Sequence, residues 1–257
     1  MRAPPDRSVA GETVRGQARL VGGTLLRVDR LGSTNDLLRS LAQQGAAEGT
    51  TVVAREQTAG RGRLGRIWAS PPGGLWLSVL LRPPEPADLL LALAAAVGTA
   101  EGLRRTSSAP VGLKWPNDLV LQGRKVGGVL VEAVPPWAVV GIGVNVNVER
   151  AMLPPDVREA AVSLAEVVGH TVDLDAALDG VLGGLDDAYD TLRRGGKDDV
   201  LDRWRRLNVT LGRPVRVRTG GRVVQGIAVD IDAAGALLVA GPGGGRVRVL
   251  AGDVTVL

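Results

Sequence analysis

The 257-residue chain has no cysteine. Disulfides, thiolate metal sites and a cysteine nucleophile are therefore excluded. It has one histidine, His170. That rules out a histidine-rich metal centre and argues against a Ser-His-Asp triad. His170 sits in a G-H-T string after a helical pattern, which reads as a turn. Lysine is also scarce: three residues against 28 arginines, in a chain of formal net charge +4 and pI near 10.2. The arginine excess fits a GC-rich coding bias better than a dedicated polyanion-binding surface. Residues 1–16 lack an apolar h-region, so they do not read as a secretory signal. The longest apolar run, residues 89–97, is too short to span a bilayer and reads as a buried helix. A cytoplasmic protein is expected.

Against this background the polar clusters stand out. Residues 57–68 read Q-T-A-G-R-G-R-L-G-R-I-W. Gly60, Gly62 and Gly65 alternate with Arg61, Arg63 and Arg66, a poor helix or strand but a flexible backbone with accessible N–H groups. Its guanidinium forks suit phosphate or carboxylate oxygens. G-x-G-x-x-G formally matches the dinucleotide-binding fingerprint, which must open a helix. Here I-W-A-S-P-P-G-G follows, and Glu85, at about the ribose-carboxylate distance, lies inside P-P-E-P. A Rossmann oxidoreductase is rejected. No kinase catalytic loop, P-loop, G-x-S-x-G or H-E-x-x-H string is present.

Two of the three lysines, Lys114 and Lys125, lie in Gly/Pro-punctuated segments, where a compact ammonium serves a purpose that arginine does not. Ser33, Thr34 and Asn35 sit at a helix start, with simple N-capping as their bland explanation. Gln57 leads the arginine loop, Asn117 and Asp118 follow Trp115-Pro116, and Asn145 ends G-I-G-V-N. Together they describe a pocket with glycine-thinned walls, amide and hydroxyl donors, and cations.

The element pattern predicts an α+β fold built on a mixed sheet with flanking helices. Strands are expected at 25–31, 51–54, 75–81, 112–115, 125–133 and 137–146. Pro83-Pro84 ends the third of these. Helices are expected at 36–44 (capped by Ser33 or Thr34), 87–104, 157–168, 174–193 and 198–207. From Pro214 onward short strands at 215–218, 223–231, 236–239 and 246–250 are split by Gly-rich turns, the pattern of a small SH3-like β-barrel. The expected division is a 1–24 extension, a 25–207 catalytic unit and a 208–257 tail.

G-S-T-N at 32–35, E-Q-T-A-G-R-G-R-L-G-R-x-W at 56–68, L-K-W-P-N-D at 113–118, G-R-K-V-G-G-V-L-V-E at 123–132 and G-I-G-V-N-V at 141–146 resemble the five signature segments of biotin–protein ligases. They occur in family order, and the resemblance covers about residues 25 to 257. It implies a catalytic core similar to that of class II aminoacyl-tRNA synthetases. It also implies a two-step reaction: biotin and ATP give biotinyl-5′-AMP and pyrophosphate, with Mg²⁺ on the phosphates, and the biotinyl group passes to a lysine of a biotin carboxyl carrier domain. By the same match, Ser33, Thr34, Asn35, Gln57, Gly62 and the backbone at Arg61 and Arg63 would bind biotin over a floor of Gly128, Gly141 and Gly143. Arg66, Trp68, Lys114, Asn117 and Asn145 would line the nucleotide side. Lys125, Arg61 and Arg63 would touch both ligands and carry the catalysis. Asp118 or the adenylate phosphate would take the proton in the second step. No protein ligand for the metal is assigned.

Regulatory members carry an N-terminal winged helix-turn-helix. The roughly 25 residues before the first strand are too few for one, so a ligase without repressor activity, a monomer or weak dimer with no nucleic-acid or membrane partner, is expected. A lipoate or octanoate ligase shares the fold, but the Arg-Gly loop with K-W-P-N-D favours biotin. A nucleic-acid-binding module would leave G-S-T-N and G-I-G-V-N without a role.

Overall fold

A computed structural model describes residues 10–12, 19–83 and 89–257. Pro84, Glu85 and the expected helix start at residue 87 lie outside them. In chain order the elements are β1 (Ala10–Glu12), β2 (Thr24–Leu31), α1 (Thr34–Gln43), β3 (Thr50–Gln57), β4 (Leu75–Leu81), α2 (Leu89–Ser107), β5 (Gly112–Lys114), β6 (Asp118–Leu121), β7 (Arg124–Val134), β8 (Trp137–Val144), α3 (Pro155–Arg158), α4 (Leu164–Val168), α5 (Leu174–Arg193) and α6 (Lys197–Leu207). The chain ends in β9 (Pro214–Thr219), β10 (Arg222–Ile231), β11 (Leu237–Ala240), β12 (Arg246–Val249) and β13 (Asp253–Val256).

The first eight strands form one mixed sheet in the order β1-β2-β3-β4-β8-β7-β6-β5. The β2–β3 pair is parallel and joined through α1; the other neighbouring pairs are antiparallel. β4 reads L-W-L-S-V-L-L and is buried throughout. A run buried on both faces loses the usual apolar-polar alternation. Leu75, Leu77, Val79 and Leu81 join the main core with α2 and α5. Leu80 packs on the other face with Leu38 and Ala42 of α1.

The helical layer is tight. Gly98 and Gly102 of α2 lie against Gly184 and Gly180 of α5, and a Cβ on either would overlap the facing backbone. That close approach explains a 19-residue helix without a clear polar face: Leu93, Ala95, Val97 and Leu103 are all fully buried.

The last five strands form an antiparallel sheet in the order β12-β11-β10-β9-β13. β13 does not appear in the sequence expectation, and the strand order does not close into a barrel. Trp115 Nε1 donates to Gly235 O at 2.9 Å, tying this sheet to the K-W-P-N-D turn.

The expected helix at 157–168 is corrected to two short ones, α3 and α4. Between them the backbone pairs with β7. Lys125 N donates to Ala160 O at 2.7 Å, and Val162 N donates to Lys125 O at 3.0 Å. Those bonds claim the groups a continuous helix would use internally. Ser163 then restarts the helix, its Oγ accepting from Glu166 N at 3.3 Å. β6 was likewise not expected as a separate strand; it pairs with β5 and β7 on either side.

Candidate functional site

One face of the mixed sheet lines a cavity. Trp76, Ser78, Gly141, Gly143, Gly128, Leu130 and Glu132 share it, because Ser78 pairs with Gly141, Trp76 with Gly143, Leu130 with Gly141 and Gly128 with Gly143 across β4, β8 and β7. The N-terminus of α1 crosses one end of this row and the arginine loop crosses the other. They enclose a cavity of about 270 Å³. Ser33, Thr34, Asn35, Gln57, Arg61, Gly62, Arg63, Arg66, Trp68, Asn117, Asp118, Lys125, Gly128, Gly141, Gly143 and Asn145 all line it. Lys114 does not. It stands behind Asp118, its ammonium 3.5 Å from Asp118 Oδ2.

The arginine loop is a tight hairpin rather than a helix start. Gly62 N donates to Arg66 O at 2.7 Å and Trp68 N to Gly60 O at 2.9 Å. Residues 63–65 make a single 3₁₀ turn, with Leu64 in the left-handed region at φ 57°. This geometry removes the dinucleotide-fingerprint reading, which needs a helix at that point.

A hydrogen-bonded rail runs along the end beside α1. Gln57 Nε2 donates to Ser70 Oγ at 2.9 Å, and Gln57 Oε1 accepts from Thr34 N at 2.8 Å and Thr34 Oγ1 at 3.0 Å. Ser78 Oγ donates to Asn35 Oδ1 at 2.6 Å and lies 2.7 Å from Thr34 Oγ1. Asn35 Nδ2 donates to Glu132 Oε2 at 2.7 Å. Ser33 occupies the cap position of α1, but its side chain makes no capping bond, so the hydroxyl is not committed to the helix. The glycines make room for these groups. A Cβ at Gly141 would strike the Asn35 amide, and one at Gly143 would lie 2.5 Å from Trp68 Nε1.

The other end is cationic. Lys125 Nζ is 2.5 Å from Asp118 Oδ1 and 5.1 Å from the centre of the Trp68 ring, a cation–π distance. Arg63 donates to Asn117 Oδ1 at 2.9 Å. Burial lowers its pKa, with the Asp253 and Asp118 carboxylates pulling the other way. A guanidinium so placed stays charged while losing hydration, which strengthens its hold on an incoming anion. Arg61 behaves oppositely: its hydrogen bond to Asp36, with Glu132 adding to it, raises its pKa against desolvation. Trp68 Nε1 is buried without a hydrogen-bond partner among the described residues. Asn145 Nδ2 donates to Val162 O at 3.2 Å, holding the segment that also grips the Lys125 backbone. Leu153, Val157, Ala160 and Ala161 add apolar wall at this end.

Sequence reasoning missed Ser78, Glu132, Asp36 and Asp253. Ser78 had a signal: it is the one polar residue in an otherwise apolar strand. Glu132 closes the G-R-K-V-G-G-V-L-V-E segment but had no role. Among the described residues no group of three or more His, Cys, Asp or Glu is placed to hold a metal ion. No described helix is long and apolar enough to cross a membrane.

Comparison with known proteins gives the family. Residues 28–148 match the biotin/lipoate A/B protein ligase family, and residues 210–257 match the biotin protein ligase C terminal domain. The chain is 36% identical over 228 residues to the biotin–[acetyl-CoA-carboxylase] ligase of Paracoccus denitrificans, covering 85% of this chain and 95% of that one. It is 33% identical over 231 residues to the bifunctional ligase/repressor BirA of Bacillus subtilis, covering 87% and 71%. Among solved structures, the Aquifex aeolicus biotin protein ligase in complex with biotin and ATP superposes with a TM-score of 0.79 at 31% identity, covering 90% of this chain and 97% of that one. The chain belongs to the biotin–protein ligase family.

Proposed function

We propose that the chain activates biotin with ATP to biotinyl-5′-AMP and transfers the biotinyl group to a lysine of a biotin carboxyl carrier domain. The observation that carries this reading is the polarity of one continuous cavity. One end offers neutral hydrogen-bonding groups on Ser33, Thr34 and Gln57, suited to a ureido ring. Its other end holds Lys125, Arg63, Asn117 and Asn145 beside the Trp68 ring, suited to a carboxylate meeting a nucleotide.

The chemistry needs no base in the first step. A carboxylate with a typical pKa of about 4 is already ionised at neutral pH. What opposes attack on the α-phosphorus is repulsion between two anions. Cations held in a partly dry site, with the reactants aligned, lower that barrier. Lys125 is the group best placed to do so. It exchanges Asp118 for the carboxylate and α-phosphate oxygens as charge builds there. Mg²⁺ bound with ATP would supply further charge neutralisation on the phosphates. In the second step the carrier lysine must lose a proton. Asp118, released when Lys125 turns to the phosphate, is one acceptor, and the departing phosphate is the other. The 25–207 unit would hold the whole cavity, with 208–257 as an SH3-like tail bearing on its edge.

The test is a reaction with biotin, MgATP and a purified carrier domain, followed by mass spectrometry. The expected result is one biotinyl group on one carrier lysine, absent when ATP is omitted. No label on the carrier under saturating substrates would refute the transfer step. A lipoyl group taken in preference to biotin from an equimolar mixture would reassign the substrate.

A further inference from the structure

Lys114 is a lysine kept in an arginine-rich chain, yet it does not line the cavity. Its place follows from strand register. Lys114 of β5 pairs with Asp118 of β6, Asp118 pairs with Gly128 of β7, and Gly128 pairs with Gly143 of β8. Directly paired residues share a face, so these four form one row across the sheet. The two glycines lie under the cavity and Lys114 lies beyond its wall. Lys125 reaches the same row from within β7. A Cβ at Gly128 would lie 3.4 Å from Lys125 Cε and 3.5 Å from its Nζ, so the bare glycine leaves room for the lysine stem over the strand. The result is one carboxylate between two ammoniums. Lys125 Nζ is 2.5 Å from Asp118 Oδ1, and Lys114 Nζ is 3.5 Å from Asp118 Oδ2. The Asp118 side chain is the least exposed of the three, at 18% against 29% for Lys114 and 36% for Lys125. Among the described residues these are its only ion pairs.

A carboxylate on the cavity wall works against a reaction that joins two anions. If Lys125 moved to a phosphate and nothing else held Asp118, a part-buried carboxylate would be left unpaired beside the incoming charge. A second ammonium on the other oxygen changes that, because the pair left behind is neutral. We propose that Lys114 is a positioning residue for the activation step: from behind the wall it holds Asp118, and so frees Lys125 to exchange that carboxylate for the ligand oxygens. A lysine suits the place. A point charge takes one oxygen and leaves the other to Lys125, whereas a guanidinium fork takes both. Lys114 thus acts through Asp118 and not on the nucleotide itself. The proposal rests on the cavity being the site where biotin and ATP react.

The experiment is a double-mutant cycle on Lys114→Met and Asp118→Asn, read by biotin-dependent ATP–pyrophosphate exchange. Exchange reports the activation step alone, so loss of a proton acceptor for the carrier lysine does not enter. Methionine keeps an unbranched apolar stem and removes the charge. Lys114→Met is expected to lower kcat about three- to tenfold, with KM for biotin within about twofold of wild type. In the Asp118→Asn background the same substitution is expected to change kcat by less than about twofold, because no carboxylate remains to hold Lys125 back. An unchanged kcat in Lys114→Met would overturn the proposal. So would an equal loss in both backgrounds, the signature of direct ligand contact or of a weakened fold. A second readout needs no ligand. The chain has only three lysines, so acylation of Lys125 by a neutral amine reagent is readily followed by peptide mass. Lys114→Met is expected to slow it about two- to fivefold, since the ammonium is held harder, and Asp118→Asn to quicken it. Labelling unchanged in Lys114→Met would overturn the shared carboxylate. If Asp118→Asn does not fold, the labelling of Lys114→Met decides the matter. If the wild type shows no biotin-dependent exchange, the functional reading fails, yet the labelling still accepts or rejects the hold of two ammoniums on Asp118.

Discussion

Lys125 stands where three constraints meet. Its backbone is clamped by Ala160 and Val162, and its ammonium sits on Asp118 over the Trp68 ring. Such a side chain is placed before any ligand arrives, which is the condition for electrostatic catalysis. Lys125→Ala should lower adenylate formation by about 10²–10³-fold with the melting temperature nearly kept. Single-turnover adenylation and a thermal melt check both halves of that statement. Ser78→Ala tests the rail instead. It removes a buried donor and leaves Asn35 Oδ1 unpaired, so it should cost about 1–3 kcal/mol of stability, read by denaturant unfolding. Most cavity-lining residues were legible in the sequence, because a pocket needs unusual residue types close together: G-S-T-N, the Arg-Gly run, two rare lysines. Their partners were not. Nothing local marks Asp36, Glu132 or Asp253 as counter-ions, since each meets its arginine only after 25, 71 or 187 residues of chain have folded. Lys114, placed on the nucleotide side by the resemblance alone, stands behind Asp118 and off the cavity wall.

Elements were readable where an apolar run or a helical period was unbroken. β4 and α2 follow from apolar runs of the right length and α5 from its amphipathic repeat, and the Gly98–Gly184 and Gly102–Gly180 contacts explain why α2 tolerates two glycines. Gly102→Val should force the helices apart and cost about 1–3 kcal/mol or more, seen as a lowered Tm. The 157–168 segment was read as one helix because its composition allows it. Tertiary backbone pairing at Lys125 overrides that local preference, and no pattern within the segment announces it. In the C-terminal sheet, Asp232 organises the β10–β11 turn. Burial pushes its carboxyl up, but Arg248 and the N–H groups of Ala236 and Ala234 outweigh it, and the pKa falls below the ordinary carboxylate value. A depressed carboxylate contributes stability above its unfolded pKa, and that stability is lost as pH falls through the folded value. Amide exchange at Ala234 and Ala236 should therefore quicken, beyond the intrinsic pH trend, as the pH drops below the ordinary carboxylate range. Asp232→Asn should abolish that acid-specific component; an unchanged profile would remove Asp232 from the account.

At the scale of the whole molecule, the mixed sheet supplies a rigid floor and the C-terminal sheet reaches back to its rim. Trp115 to Gly235, Arg63 to Gly252 and Arg66 to Asp253 join the two. Composition foretold the small strand-rich tail, whose strands run in the order β12-β11-β10-β9-β13. The central claim is that this one cavity brings a biotin carboxylate and ATP together. Biotin-dependent exchange of labelled pyrophosphate into ATP measures that step without any acceptor protein. The predicted result is exchange that requires biotin and Mg²⁺, saturates in biotin and falls by about 10²–10³-fold in Lys125→Ala. Exchange independent of biotin, absent with biotin at saturating MgATP, or undiminished in Lys125→Ala would contradict it.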